Sequence, residues 1–275
     1  MTKNYLQHIK AQGNSSQTSI NYARYLDRFI YETNINSIEE INTKLINDFI
    51  IKMQEKKYKN QTINYILTAV RCWLKYEIKT NNANVMSPKM IDNLKFDRPK
   101  IDIDAKDILQ KLSATKFSKR DTMVINLFLS TGLRLSELKS ILIQDIRNNN
   151  NQISITVRGK GGKLRLVFIS DEVYILLQQY IGSRKDGELF SENIKTLYRI
   201  IKNAGVKIGC NLYPHKLRHI FATDMLQNGA PIQSVQHILG HSSITTTEMY
   251  SHISNNTLYN AFKKYHQKSN TITNN

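Results

Sequence analysis

The sequence is poor in cysteine, proline and tryptophan. Of its 275 residues, two are cysteines, four are prolines and one is a tryptophan. Cys72 and Cys210 lie far apart in the sequence, so no disulfide framework is expected, which fits a reducing compartment. No apolar run approaches the ~18 residues that a membrane span needs, and the N-terminus lacks a signal-peptide core. We therefore expect a cytoplasmic protein with no membrane partner.

Acidic residues are scarce relative to basic ones. The chain has 22 Asp and Glu against 39 Lys and Arg, for a net charge of +17. This excess, which is present in both halves, favours a polyanionic partner: nucleic acid first, and an anionic membrane surface second. A chain that is simply rich in lysine remains the alternative. With 40% hydrophobic residues, disorder throughout is excluded.

Apolar residues recur at helical spacing through the first eighty residues. The stripes run over residues 20–30, 45–53 and 63–74, and a shorter helix is expected near residues 3–11. Ser37 and Glu40 have the spacing of a capping box. Residues 80–100 are polar and contain Pro88 and Pro99, as is typical of a linker. We therefore predict a helical domain over residues 1–82 and a linker over 83–100.

A second domain is predicted over residues 101–268. It opens with a buried helix, residues 121–129, which should end at Gly132 in the left-handed conformation, and another helix over 133–142. The period then changes to two at Ile153, Ile155 and Val157, and the chain turns at a glycine-rich stretch to run back over 164–169. The fold class is mainly α with a small β-hairpin or sheet (α+β), followed by a frayed tail over 269–275.

Two histidines, His215 and His219, lie one helical turn apart in the stretch PHKLRH. A zinc-protease helix would place a glutamate beside the first histidine, whereas this chain has Lys216 there and Arg218 between the pair. Coulomb repulsion between these cations and a metal dication disfavours a metal site. A capping or buried, hydrogen-bonded histidine pair remains the alternative.

Arg134 follows the end of the buried helix and stands at the start of the next one. A cation is electrostatically unfavourable at a helix N-terminus, which instead suits a bound phosphate. We therefore expect an anion to bind beside Arg134. The stretch GKGGK does not indicate a nucleotide-binding loop, because Gly162 and Lys163 lead into a strand and not into a helix.

Five motifs in a fixed order resemble those of the tyrosine recombinase (phage integrase) family, and the Xer-type recombinases in particular. They are TGLRLSEL, VRGKGGKLR, PHKLRHIFAT, LGHSS and TTTEMYSH, with a tyrosine nine residues beyond the histidine of LGH. The resemblance implies an N-terminal core-binding (SAM-like) domain followed by a catalytic domain.

The resemblance also implies roles for particular residues. Arg134 and Arg218 would clamp the scissile phosphate, and Tyr250 would be the nucleophile. Lys160 would protonate the leaving 5′ oxygen, with Lys163 as its alternative.

Further residues complete the implied site. His215 would assist the acid–base steps and His241 would hydrogen-bond the phosphate. Glu137 and His219 would support the arginines or their helix.

The chemistry of these residue types agrees with such roles. A phosphodiester transition state concentrates negative charge on its non-bridging oxygens, which guanidinium groups stabilise through paired hydrogen bonds. Tyrosine, with a pKa of ~10, becomes nucleophilic when a cation favours the phenolate. The departing hydroxyl needs a proton, which lysine supplies. Neither a metal nor another cofactor is needed, and a phosphotyrosine bond makes ATP unnecessary.

The resemblance implies a site-specific recombinase associated with the nucleoid that acts on double-stranded DNA with paired inverted half-sites. The protein would be a monomer or dimer when free and a homo-tetramer on DNA. Its final helix, with an apolar stripe from Leu258 to Tyr265, would dock into a neighbouring protomer or pack in cis. Resolution of chromosome or plasmid dimers is the favoured task. Integration of a phage, plasmid or other mobile element, nicking and rejoining of the type IB topoisomerase kind, and DNA binding without catalysis are the alternatives.

Overall fold

The computed structural model describes residues 1–81, 84–96, 104–149, 152–159, 162, 164–240, 255–266 and 271–272. The chain forms two compact units, Met1–Ile101 and Asp102–Asn275, called here the N-terminal and the C-terminal unit. In the described ranges, no helix has the length and apolar character needed to cross a membrane.

The N-terminal unit is helical, as the apolar stripes predict. Its helices are α1 (Lys3–Ala11), α2 (Ser16–Thr33), α3 (Thr43–Glu55) and α4 (Asn60–Asn81). The capping box of Ser37 and Glu40 begins a short 3-10 helix, Ile38–Glu40, while the side chain of Asn42 caps α3 itself. The stripes meet in one core, in which Trp73 is 1% exposed.

Part of the predicted linker packs on the N-terminal unit. Ile91 is buried in its core, and the Asn64 side chain donates to the carbonyl of Leu94 (2.9 Å) and accepts the N–H of Leu94 (2.8 Å). A side-chain amide that satisfies both backbone groups of one residue holds that segment in place. Residues 84–96 are therefore held against α4 in part by a side chain of that helix that pairs with their backbone.

The C-terminal unit contains helices on both sides of a small sheet. Its elements are α5 (Ala105–Ser113), α6 (Lys119–Thr131), α7 (Leu135–Lys139), β1 (Ile146–Asn149), β2 (Gln152–Arg158), β3 (Leu164–Phe168), α8 (Asp171–Ile181), α9 (Ile194–Lys207), α10 (Pro214–Gln227), α11 (Ile232–Leu239) and α12 (Asn255–Tyr265). Helix α6 is buried over most of its length, as predicted. The helix predicted over 133–142 is shorter: α7 ends at Lys139, and the chain turns there.

The sheet is antiparallel with strand order β1-β2-β3, so the predicted hairpin is present and β1 adds an unpredicted third strand. Ile155 pairs with Val167, and Val157 pairs with Arg165. Cross-strand partners point to the same face of a sheet. The face that carries Ile155 and Val167 packs on the main core of the unit, so position 165 also belongs to this inward face.

Helix α12 covers the other face of the sheet in cis. Phe262 is 4% exposed, and the ring of Phe168 on β3 lies 5.4 Å from that of Tyr259 and 6.1 Å from that of Phe262. In this single chain the apolar stripe of the last helix is therefore satisfied by its own unit. Its exchange between protomers remains a prediction.

Residues 271–272 differ from the predicted frayed tail. Ile272 is 1% exposed, and its backbone N–H and carbonyl both pair with the Asn126 side chain at 2.8 Å. Helix α6 thus offers a buried amide that binds the backbone of a residue more than a hundred positions away in the sequence. Sequence position alone predicted fraying, whereas burial and backbone pairing decide the outcome.

We expect Ile272→Ala to lower the free energy of unfolding of the C-terminal unit by about 2–5 kcal/mol, because it leaves a cavity in the core. The same change at Ile175, which is 57% exposed on α8, should alter it by less than about 0.5 kcal/mol. Urea unfolding of the two variants measures the difference. Equal effects would show that the tail is not docked in solution.

Candidate active site

The guanidinium of Arg218 is fixed between the ends of two helices. Arg218 is 4% exposed, and it donates to the carbonyl of Gly132 at 2.6 Å and to that of Leu239 at 2.7 Å. These carbonyls lie at the C-terminal ends of α6 and α11, where they have no intrahelical partner and carry partial negative charge. Arg218 itself lies on α10, one turn after the proline that begins that helix. Its orientation is therefore set before any substrate arrives.

Glycines end both helices and aim these carbonyls. Gly132 has φ +59° and Gly240 has φ +65°, in the left-handed region. A Cβ on Gly132 would lie 2.5 Å from Leu239 Cδ2 and 2.6 Å from Phe221 Cδ1. Neither the backbone conformation nor the space at position 132 accepts a side chain. The prediction that Gly132 ends the helix in the left-handed conformation is confirmed.

Arg134 stands at the start of α7 and is held by Glu137. Its Nη1 donates to Glu137 Oε1 at 2.9 Å, its backbone N–H donates to Glu137 Oε2 at 2.8 Å, and its Nη2 lies 3.4 Å from the Gly240 carbonyl. Glu137 is 2% exposed, whereas the Arg134 side chain is 40% exposed. The guanidinium is therefore held by protein groups on one side, and its other side is exposed.

The prediction of an anion bound beside Arg134 remains a prediction, and the structure shows which groups surround that position. The Glu137 carboxylate already takes the backbone N–H of Arg134. Helix α7 has only five residues, so its dipole contributes little. The exposed edge of the Arg134 side chain is a group that is available to such an anion.

The two histidines of PHKLRH lie edge to face, with ring centroids 4.7 Å apart. His215 is exposed, and what burial it has, together with the positive charges of His219, Arg218 and Arg134, lowers its pKa below the ordinary value of 6.5. His215 therefore lies in the field of both arginines. A histidine with a lowered pKa is neutral at pH 7 and able to accept a proton.

Four predicted residues lie outside the described residues: Lys160, Lys163, His241 and Tyr250. Their roles remain predictions. The structure thus brings together Arg134, Glu137, His215, Arg218 and His219 from α7 and α10.

Arg165 on β3 also belongs to this site, although it was not predicted. Its Nη2 donates to Glu137 Oε2 at 2.9 Å, and its side chain is 15% exposed. The alternation of Ile153, Ile155 and Val157 carried the necessary signal. In a tight hairpin, the residues of β3 that pair with Ile155 and Val157 also point inward. The partner of Val157 is Arg165. A charge on the buried face of a strand indicates a buried partner.

Three guanidinium groups share one carboxylate in this cluster. Burial, with the charges of Arg134 and Arg165, lowers the pKa of Arg218 to about 10, and Glu137 opposes this effect. Burial is also the main cause that lowers the pKa of Arg165, which Arg134 lowers further. Because three guanidinium groups lie around one carboxylate, the cluster carries a positive charge that Glu137 does not neutralise. Such a site favours an anion with several oxygens.

Two family models together match nearly the whole chain. The model described as "Phage integrase family" matches residues 102–270, and that described as "Phage integrase, N-terminal SAM-like domain" matches residues 2–81. The chain belongs to the phage integrase family. Members of this tyrosine recombinase family cleave and rejoin DNA strands, so the resemblance seen in the sequence motifs is confirmed.

Relatives within the family are named as Xer recombinases. Tyrosine recombinase XerA of Saccharolobus solfataricus is 38% identical over 223 residues, which cover 81% of this chain and 74% of the relative. XerA of Pyrococcus horikoshii is 30% identical over 94% of this chain and 90% of its own. XerD of Staphylococcus haemolyticus is 26% identical over 96% and 98%, respectively.

Solved structures of tyrosine recombinases share the fold. The XerH recombinase in a pre-cleavage complex with its difH substrate superposes with a TM-score of 0.67 at 22% identity, covering 94% of this chain and 82% of that one. A lambda integrase dimer bound to a core site gives a TM-score of 0.69 at 18% identity, covering 88% and 94%. The mainly helical fold with a small sheet is therefore that of the family.

We expect Gly132→Ala to destabilise the C-terminal unit by about 2–4 kcal/mol, because the left-handed backbone and the clash with Leu239 and Phe221 both oppose a methyl group. Gly209 is a matched control, since it has φ +67° and nothing within 4 Å of its Cβ position. Gly209→Ala should cost only the backbone term, about 1–2 kcal/mol. Urea unfolding compares them, and equal losses would contradict the packing around Gly132.

Proposed function

We propose that this tyrosine recombinase cuts and rejoins DNA at specific sites through a 3′-phosphotyrosyl intermediate and resolves chromosome or plasmid dimers. The observation that carries this proposal is the arginine cluster. Arg218 is buried between two helix ends, and Arg134 is held by Glu137 with its outer edge open. Two guanidiniums fixed in this way suit a phosphate held against the protein surface.

The arginines act on charge that develops during the reaction. As the phosphorus becomes five-coordinate, negative charge grows on its non-bridging oxygens. Donors that are already oriented stabilise this charge without reorganisation, and each contributes on the order of 3–4 kcal/mol to lowering the barrier. The carbonyls and the Glu137 carboxylate that hold the arginines therefore contribute to the rate as well as to the fold.

The proton transfers complete the reaction. The Tyr250 phenol loses its proton, for which neutral His215 is the acceptor on α10, and its oxygen bonds to phosphorus. The bond from phosphorus to the 5′ oxygen breaks, and Lys160 protonates that oxygen to release a 5′ hydroxyl. Attack by a 5′ hydroxyl of the partner strand reverses these steps. His241 hydrogen-bonds the phosphate, and His219 supports the helix of Arg218.

Double-stranded DNA with paired inverted half-sites is the proposed substrate. The net charge of +17 fits this partner, and the XerH and lambda integrase structures are of complexes with their own DNA sites. Four protomers would bring two sites together on the nucleoid, and two rounds of strand exchange would pass through a Holliday junction. The Xer names of the relatives favour resolution over integration of a mobile element.

A suicide substrate tests the proposal. Duplexes with a randomised core and a nick near its centre lose the short 5′-hydroxyl strand after cleavage, so a phosphotyrosyl adduct cannot be reversed. Wild-type protein should accumulate covalent adducts that yield one sequence family on sequencing. Tyr250→Phe should bind the recovered duplex within about threefold of the wild-type affinity and form no adduct, because it lacks the attacking oxygen.

Controls separate the alternatives. An adduct in the Tyr250→Phe variant would show that another residue is the nucleophile. An adduct without resolution of a plasmid carrying two copies of the recovered site would leave cleavage in place and favour relaxation of the topoisomerase kind. A wild-type protein that binds DNA and forms no adduct would contradict the proposal.

The lowered pKa of His215 predicts the pH dependence of cleavage. If neutral His215 accepts the tyrosine proton, the rate constant at subsaturating DNA falls as the pH drops through the pKa of the free protein. The midpoint of this acidic limb should lie below 6.5. Single-turnover rates between pH 5 and 8 measure it, and His215→Gln should be slower and lack this limb. A midpoint at or above 6.5, or an unchanged limb in His215→Gln, would refute the assignment.

A further inference from the structure

Arg165 donates to one of the two groups that hold the guanidinium of Arg134 and packs against the residue that carries the other. Those groups are the Glu137 carboxylate, at Nη1, and the Gly240 carbonyl, at Nη2. Arg165 comes from a different element, the inward face of β3, where a strand ordinarily places an apolar side chain. An arginine at this position therefore departs from the usual pattern of a strand, and the fold itself does not require that departure.

On one side, Arg165 completes the hydrogen bonding of Glu137. The carboxylate is 2% exposed, and its Oε2 accepts from Arg165 Nη2 at 2.9 Å and from the backbone of Arg134 at 2.8 Å. With Oε2 held from two sides, Oε1 is turned to Arg134 Nη1. Without Arg165, the carboxylate would lose its only described contact outside Arg134 and with it the direction that it gives to that guanidinium.

On the other side, Arg165 packs against Gly240. A Cβ at this position would lie 2.5 Å from Arg165 Nε and 2.7 Å from its Cδ, so the arginine stem occupies the space that any side chain would need. Gly240 ends α11 and presents its carbonyl to Arg134. Arg165 therefore packs against the residue whose carbonyl is the second support of the Arg134 guanidinium.

The arrangement is electrostatically unfavourable in the free protein. Burial is the main cause that lowers the pKa of both Arg218 and Arg165, and repulsion from the neighbouring guanidinium groups lowers both further. Two further donors of Arg165, Nε and Nη1, are buried and find no acceptor within the described part of the chain. A neutral side chain would avoid both costs. An arginine that carries these energetic costs is expected to have a role in the site through its contacts.

We propose that Arg165 is a positioning residue for DNA cleavage, which acts through Glu137 and Gly240 to fix the guanidinium of Arg134 towards the scissile phosphate. This inference rests on the proposed function. It also joins the clamp to the hairpin that carries Lys160, because Arg165 lies on the strand that leaves the hairpin tip.

The test compares two versions of the recovered suicide duplex. One has the natural scissile phosphate, and the other has a methylphosphonate, which lacks the negative charge that Arg134 meets. Arg165→Ala should slow adduct formation on the phosphate roughly 10- to 100-fold. On the methylphosphonate the slowing should be less than about threefold, because no charge has to be matched. Binding of either duplex should change less than about threefold.

Two further variants support the reading. Arg165→Lys keeps a cation that reaches Glu137 and should recover part of the rate on the phosphate duplex. It also carries the test if Arg165→Ala does not fold. Arg147→Ala removes one positive charge from the exposed strand β1 of the same sheet and should match the wild-type protein on both duplexes.

The outcomes are distinct. Equal slowing of Arg165→Ala on both duplexes would assign Arg165 to folding alone, and wild-type rates would remove it from the site; either result overturns the inference while the proposed function stands. Failure of the wild-type protein to form any adduct overturns the proposed function itself.

Discussion

The repulsion among three guanidinium groups is the constraint that shapes the C-terminal unit. Charges placed this close together separate or lose protons unless the protein compensates them. Here the compensation comes from one carboxylate and from the carbonyls that end two helices. Helices α6 and α11 therefore have to end where they do, with glycines whose backbone turns the last carbonyls inward. The packing of Leu239 and Phe221 against Gly132 follows from the same requirement.

One carboxylate offsets only part of the positive charge of three guanidinium groups, so the site attracts an anion. Arg218 is satisfied by the protein, whereas the outer edge of Arg134 is open, so the two arginines differ in what they offer a phosphate. The buried one supplies fixed charge, and the open one supplies hydrogen bonds. A neutral histidine in the same field adds a group that accepts a proton without adding charge beforehand. The proposed cleavage reaction would use these three properties together.

Sequence patterns predicted what depends on local spacing. Helical periodicity located α2, α3, α4 and α6, and the spacing of His215 and Arg218 placed them on one face of a helix. The glycine at 132 predicted a left-handed helix end for a reason that needs no tertiary structure. The family motifs then assigned roles to residues that lie far apart in the sequence. These are features that neighbouring residues determine among themselves.

Long-range pairing was beyond such patterns. The sequence around Ile272 is that of a polar tail. Its backbone is nevertheless held by Asn126, which lies 146 residues earlier. Residues 84–96 read as a linker for the same reason, since their polar backbone contacts lie on α4. In both cases an asparagine buried in a helix pairs with the backbone of a residue that lies outside the helices. Amino-acid composition does not show which way an asparagine side chain points or which backbone group it pairs with.

Arg165 stands between these two cases, because a local rule does constrain it. Strand register decides which face a residue occupies, and a slip of one position would move Arg165 from Glu137 to the face that α12 covers. Pairing of Val157 with Arg165 thus fixes more than the sheet: it fixes where the carboxylate is held. The chain reaches Arg165 five residues after Lys160, with the first β2–β3 pair, Arg158 and Leu164, just before it. The proposed proton donor, Lys160, and the strand residue that holds Glu137 therefore belong to one short stretch of the sequence.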